Sequence, residues 1–454
     1  VGYDITPKLN VYLSVLQAST KSYSQVGSGT PGLINTAALG VPVTADYYYL
    51  PNDLKAAMLT SNIASINIQK TFNVTGQQIF DARTTRAVAG GTYQFNDNWS
   101  ADFYYEYGKT DDSLQLNRFV NSIAYKNAID AVAGPNGQPI CRSTLTDPNN
   151  GCVPYNIFGR TPMTAAQAAY ITPSNNYFIN NSQQVVEYTI KGSAFKLPAG
   201  PVDVALGTGY RKEVLANSTD TLGLAAKKNP YNGNPGASIY LNQPAITGSL
   251  HLAEVFGEAQ VPLLKDFPLA KSLELNLAGR FTDYSSSGGV TTWKAGVVYA
   301  PVEGVRFRLA QSRDVRAANL VELNSPDSSG FASVRDPQKG GNSISIIPIT
   351  SGNRNLTPEE ADTTTIGVVL NPTFAPSVYA SVDYFDIKIA DQISTINGQR
   401  TLDLCQVGQT EFCNRITRNA QGDITTIRTP YVNLASSKTE GIDVELGYNH
   451  EVNR

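Results

Sequence analysis

Leu273-Glu274-Leu275-Asn276-Leu277-Ala278-Gly279-Arg280-Phe281-Thr282 is the stretch on which the reading of this chain turns. Side chains of a strand point alternately to its two faces. Leu273, Leu275, Leu277 and Phe281, with Gly279, therefore share one face, and Glu274, Asn276, Ala278, Arg280 and Thr282 share the other. One face is apolar and the other is wet. The same split recurs where Trp99, Ala101, Phe103, Tyr105 and Tyr107 oppose Ser100, Asp102, Tyr104, Glu106 and Gly108, and where Val202, Val204 and Leu206 oppose Asp203, Ala205 and Gly207. It returns in Val305, Phe307 and Leu309 against Arg306 and Arg308, in Val378, Ala380, Val382 and Tyr384 against Ser381 and Asp383, and in Ile442, Val444, Leu446 and Tyr448 against Asp443, Glu445 and Asn449. Roughly a dozen such strands fit along the chain.

A half-buried sheet in a soluble sandwich shows the same alternation, so the connections must decide. Short links fall at Asn96–Asn98, Pro198–Gly200, Pro262–Lys271, Pro301–Gly304 and Asn371–Pro376. Between them lie long ones, Lys21–Gln78, Ser113–Gln184, Leu215–Gly248, Arg316–Glu360 and Ala390–Leu434; only Ser285–Gly289 is short where a long link is due. In an up-and-down barrel every second connection lies on the same side, and outer-membrane barrels carry short periplasmic turns and long extracellular loops. Structureless loops of this length are rare in compact soluble domains. The expected fold is all-β, a transmembrane antiparallel up-and-down β-barrel.

Composition agrees. The 454 residues have a mean hydropathy of -0.21 and no apolar run approaching the roughly 20 residues of a spanning helix. Barrel strands escape such a scan because half their side chains face a polar lumen. The 24 Tyr and 16 Phe suit interfacial girdles, and Tyr104, Tyr105 and Tyr107 are expected at the outer end of one strand. A net charge of -3 and a pI near 5.6 argue against nucleic acid as a partner, since a phosphate-binding face leaves a basic excess.

The four cysteines fall as two close pairs, Cys141 with Cys152 and Cys405 with Cys413, each inside one expected external loop. These spacings are wider than the usual zinc motif, and the two histidines, His251 and His450, lie on or beside strands, so no metal site is expected. Disulfide staples within each loop fit better and imply an oxidising compartment. The chain holds no G-x-S-x-G, H-E-x-x-H or G-x-x-x-x-G-K-[ST] motif. Its strand carboxylates sit at lumen positions that the barrel already explains, so neither catalysis nor a cofactor is expected. The first strand, Asn10–Ser19, begins almost at Val1, and the last, Gly441–Asn449, ends just before Arg454. An open sheet of about twelve strands would leave edge N–H and C=O groups unpaired in lipid. The expectation is a piece from the middle of a larger barrel.

Several stretches also resemble a known family in order along the chain. Ala45-Asp46-Tyr47-Tyr48-Tyr49-Leu50-Pro51 resembles a D-N-P-Y-L-P loop, and Tyr105-Glu106-Tyr107-Gly108-Lys109-Thr110 a Y-x-Y-G-[KR]-T strand end. Ile140-Cys141-Arg142 followed by Gly151-Cys152-Val153-Pro154-Tyr155-Asn156-Ile157-Phe158-Gly159 is similar to V-C-R…G-C-V-P-L-N-L-F-G. Gly209-Tyr210-Arg211-Lys212-Glu213 and Glu254 to Pro262 match two further strands. Ser312-Arg313-Asp314-Val315-Arg316-Ala317-Ala318-Asn319-Leu320-Val321-Glu322-Leu323 is similar to R-A-P-N-L-x-E-L-F, with Ala318 for the usual Pro and Asn324 for the usual Phe. Gly352 to Glu359 resembles G-N-P-N-L-K-P-E, with Arg354 for Pro, and Val382 to Ile389 resembles V-D-Y-Y-D-I-x-I. The family is that of TonB-dependent outer-membrane receptors.

That resemblance implies a 22-stranded barrel closed by an N-terminal plug. Residues 1–454 would be a partial barrel domain, about twelve of those strands, with no plug and no TonB box among them. It implies a Gram-negative outer membrane, contact with its lipid, coupling to the TonB complex through the plug, and uptake of a scarce small solute of the ferric siderophore or oligosaccharide class. Platform candidates for the solute are Tyr170, Tyr177, Phe178, Tyr231 and Tyr240; candidates for anionic groups are Arg142, Arg160, Arg335 and Lys339. Arg316 and Glu322 are expected to pair structurally at the lumen rim, because a lumen charge needs a partner. The rival readings are a passive porin and a surface adhesin barrel.

Overall fold

The computed structural model describes residues 1–26, 32–35, 41–72, 76–159, 162–220, 245–329 and 332–449. Its framework is one 14-stranded sheet in which each long strand pairs with the next along the chain. The path runs β1 (Gly2–Thr6), β2 (Leu9–Val26), β3 (Gly76–Asn96), β4 (Trp99–Asn117), β5 (Asn175–Leu197), β6 (Gly200–Ala216) and β7 (Thr247–Phe267). It continues through β8 (Ala270–Tyr284), β9 (Gly288–Ala300), β10 (Val305–Arg316), β11 (Glu359–Leu370), β12 (Val378–Thr395) and β13 (Tyr431–Tyr448). Every pairing on this path is antiparallel. Short turns and long connections alternate, and the turn after β8 is short as the sequence requires.

The apolar faces point away from any protein. Leu277 is 43% exposed, Leu206 61% and Val444 64%, and the register sets Leu277 beside Ala259 and Ala295 and Leu309 beside Val297 and Ile366. Large side chains bared over neighbouring strands form a belt far beyond the scattered apolar residues of a soluble surface. No second sheet covers it among the described residues. The opposite face is polar and concave. One hollow of about 1130 Å³ is lined by residues from Lys191 on β5 and Glu258 on β7 to Asp443 on β13.

The strands run longer than the alternation indicates. Where Asn10–Ser19 was expected, β2 spans Leu9–Val26, and β5 extends over 23 residues, although about 9–11 residues cross a membrane. The reason lies on the outward face. Beyond the apolar belt its positions turn charged, as with Lys109 and Asp111 on β4, paired at 2.8 Å, and Arg313 on β10, paired at 2.8 Å with Asp362 on β11. The ladder continues while the polarity contrast that marks it disappears. This also corrects the tyrosine cluster: β4 continues to Asn117, so Tyr104, Tyr105 and Tyr107 lie nearer its short-turn end. The link expected at Pro262–Lys271 shrinks to residues 268–269, with Pro262, which has no N–H to give the ladder, absorbed at a register shift.

Where they are described, four of the long connections pair into folded modules. Residues 41–68 and 118–171 share a core of Tyr47, Leu50, Met58, Tyr125, Ile129 and Ile157. Residues 332–346 and 396–427 share another, of Val334, Ile346, Leu402, Ile424 and Ile427. Each joins two neighbouring loops, so the buried core of this protein sits at the long-loop end and not between layers of the sheet.

Candidate functional site

Charge on the concave face is arranged across strands. Arg86 on β3 donates to both carboxylate oxygens of Glu106 on β4, at 2.8 and 2.6 Å. Lys191 on β5 meets Asp102 on β4 at 2.6 Å, and Arg280 on β8 meets Glu254 on β7 at 3.0 Å while lying over the Phe256 ring. Arg308 on β10 reaches across β11 to Asp383 on β12, with Nε to Oδ1 at 2.6 Å. The strand between offers Gly367, where a Cβ would stand 3.2 Å from the Arg308 Nε and overlap the Asp383 carboxylate. Only glycine leaves that passage open. Sequence reasoning put Asp102, Glu106, Arg280, Arg308 and Asp383 on the polar face without finding the pairs. The paired residues are 20 to 89 positions apart, and the signal was there only for a reader who already had the register.

At the mouth, Arg316 closes β10 and donates from Nε to Glu359 at 2.9 Å and from Nη1 to Glu322 at 3.0 Å. Glu359 also accepts from the Ile393 N–H of β12 at 2.7 Å. Glu322 belongs to a short helix, Leu320–Asn324, whose N-cap Asn319 accepts from the Val321 and Glu322 N–H groups while Glu322 accepts from the Asn319 N–H at 2.8 Å. This capping box supplies partners to otherwise orphaned backbone donors. Leu320 is buried with Leu215 and Leu250, which fastens the helix to the inner wall of β6 and β7. Glu322→Ala should thus loosen residues 317–325, by about 1–2 kcal/mol for the cap and ion pair together. Hydrogen exchange of the 317–325 amides reads this directly; unchanged protection would deny Glu322 a structural part.

Cys141 bonds to Cys152 in the first loop module, and Cys405 to Cys413 in the second. Among the described residues no cluster of His, Cys, Asp or Glu is arranged to hold a metal. Arg142 is engaged by Asp130 at 3.0 Å and Asp46 at 2.9 Å, and Lys339 by Asp423 at 3.0 Å. Arg335 lies on the second module, in Ala332–Arg335, and makes no ion pair among the described residues. Tyr177 is 6% exposed and Tyr170 packs against the first core, so neither offers an open ring. Phe178 is 44% exposed, but its parity on β5 is that of Val186 and Tyr188, the outward side. Arg160, Tyr231 and Tyr240 lie outside the described residues. Among the described residues the platform and cation candidates do not converge on one site.

What it does assemble is a second hollow, of about 490 Å³, between the short helix and the inner wall of β3 to β6. Thr84, Thr110, Asn181 and Gln183 give it neutral hydrogen-bonding groups, Leu215 and Leu320 an apolar side, and Glu213 a carboxylate.

Comparison with known proteins bears on this geometry. A family model described as TonB dependent receptor-like, beta-barrel, matches residues 23–453. No curated protein matches. Among solved structures, the siderophore receptor PirA from Acinetobacter baumannii is similar at 14% identity and a TM-score of 0.50, over 99% of this chain and 49% of that one. A mutant of the ferric enterobactin receptor PfeA from Pseudomonas aeruginosa, in complex with enterobactin, is similar at 13% identity and a TM-score of 0.50, over 98% of this chain and 56% of that one. This chain spans about half the length of those receptors.

Proposed function

Since the chain belongs to the TonB-dependent receptor β-barrel family, a family of receptors and transporters and not of enzymes, we propose that residues 1–454 form part of the wall and mouth of an outer-membrane receptor that takes up a scarce solute at the expense of TonB-delivered energy. The observation that carries this reading is the bare apolar belt of the outward face, built from side chains such as Leu206, Leu277, Leu309 and Val444. Lipid is the partner such a belt requires. The reading sets the long-loop end outside the cell and the short turns in the periplasm of a Gram-negative bacterium. It makes the plug that answers TonB a separate domain of the whole receptor and assigns the barrel wall no catalysis. The solute enters at the mouth, over the rim helix.

The full-length receptor, extracted from outer-membrane fractions in detergent, is expected to capture the soluble carboxy-terminal domain of TonB on beads. A protein that ignores TonB and gives a steady open conductance in planar bilayers would be a porin instead. One that does neither would leave an adhesin barrel as the better reading.

A further inference from the structure

On its outward side, beyond the apolar belt, the wall matches cations with carboxylates on most strands. On β4 Lys109 is paired with Asp111 at 2.8 Å, and on β3 Arg83 with Asp81 at 3.6 Å. Lys21 on β2 stands opposite Asp81 and over the Tyr23 ring. On β10 to β13 Arg313 has Asp362 at 2.8 Å, Lys388 has Asp386 at 3.2 Å and Lys438 has Glu440 at 2.7 Å. The sector between them is different. Along β5 from Phe178 to Ile190, β6 from Val202 to Ala216 and β7 from Thr247 to Val261, no outward position holds a carboxylate. That sector does hold a lysine. Lys212 is exposed, lies two positions beyond Tyr210 on the same face of β6, and makes no ion pair among the described residues. Gln184 stands beside it on β5 and His251 on β7, and the His251 ring is 6.2 Å from that of Tyr210.

A lysine at a membrane surface attracts the anions of lipid headgroups. Where a carboxylate stands beside the cation, as at Lys109 or Lys438, the protein has answered the charge itself and would repel a phosphate. Lys212 has no such neighbour on the outward side of its own strand or of either adjoining one. Its ammonium can make charge-assisted bonds to phosphate oxygens, and the Gln184 amide, the His251 ring and the Tyr210 hydroxyl supply further donors. The belt below continues the site, with Leu206 61% exposed on the same face of the same strand, where acyl chains would lie. Resting on the receptor reading above, which puts this end of the wall in the outer leaflet, we propose that Lys212, with Gln184, His251 and Tyr210 around it, binds the phosphate of an anionic outer-leaflet glycolipid.

The test is native mass spectrometry of the full-length receptor in a neutral detergent, titrated with two probes, a bisphosphorylated lipid A and the same lipid stripped of phosphate. The expected result is retention of the phosphorylated lipid about fivefold over the stripped one, the worth of one lysine at a charged membrane surface. Lys212→Gln should remove that preference and Lys212→Arg should keep it. Lys388→Gln, which takes away a lysine already matched by Asp386, should leave it unchanged. No preference in the unaltered receptor, a preference that survives Lys212→Gln, or one that falls equally with Lys388→Gln overturns the proposal. Displacement of the lipid by millimolar inorganic phosphate also overturns it, since that would mark a site for a free anion. TonB capture is scored on the same preparations, so a receptor that captures TonB without preferring the phosphorylated lipid fails this inference and keeps the general one.

Discussion

Leu277→Arg is expected to cost about 2–4 kcal/mol of folding free energy in a bilayer, the penalty for an arginine near the midplane of a barrel's lipid face. Leu277 lies near the middle of β8, 43% exposed, with only Ala259 and Ala295 beside it on the neighbouring strands. An arginine there finds no carboxylate within the belt and must reach for the interface. The adjacent Asn276 faces the other way, opposite Gln260 and Gly296 and on the lining of the large hollow. Asn276→Arg should cost less than about 1 kcal/mol, because the new charge stays in a polar lumen. Refolding of the full-length receptor into phosphatidylcholine vesicles, followed by urea titration, gives both values. Equal penalties at 276 and 277 would mean that the two faces do not meet different surroundings, and the membrane reading would fail with them.

That contrast is also why the framework was legible in the sequence. Leu273–Thr282 announces its two faces residue by residue, and the tight turns announce themselves by Asn96-Asp97-Asn98 and Pro198-Ala199-Gly200. Arg316 and Glu322 were legible as a pair because they sit six positions apart in a motif with its own cap. Strand ends were not. At Lys109 and Arg313 the ladder outlasts the apolar belt, and hydrogen bonding between backbones leaves no trace in polarity. The loop modules were missed for a different reason: Tyr47 donates to the carbonyl of Tyr155 across 108 positions, and a core assembled from two separate loops has no local period. The same gap hid the surroundings of the solute candidates. Arg142 and Tyr177 have the right chemistry for a ligand, but the fold had already given them to Asp130 and to the wall.

The other large effect is expected in the second loop module, at Asp336. Its side chain is completely buried and accepts from Arg418 at 2.6 and 3.0 Å and from the Gln338 N–H at 3.1 Å. Arg418 in turn donates to the Gly422 carbonyl, so one ion pair ties residues 332–339, before Ser343–Thr350, to the Ile416–Arg418 and Ile424–Arg428 strands of the neighbouring loop. Ser343–Thr350 joins Ile424–Arg428 through a parallel pairing, Ile347 with Thr426 and Ile349 with Arg428. Removing one partner of a buried pair leaves the other uncompensated, at a cost of about 3–5 kcal/mol. Asp336→Ala should fall at the lower end, because Arg418 is 22% exposed and keeps Gly422. Hydrogen exchange should then speed up together over 332–350 and 416–428, which act as one unit, and stay unchanged in β10. Acid should mimic the substitution. The Arg418 guanidinium holds the Asp336 carboxyl below its ordinary value near 3.8, so its contribution is complete above that value and is lost as pH falls through the lower, folded one. Protection of the module should therefore hold steady from neutrality to about pH 4 and decline below it. In Asp336→Asn that acid limb should be missing. A module whose exchange ignores both the substitution and the acid would be held by Val334, Ile346 and Ile427 alone, and the two loops would not need their shared charge to move as one.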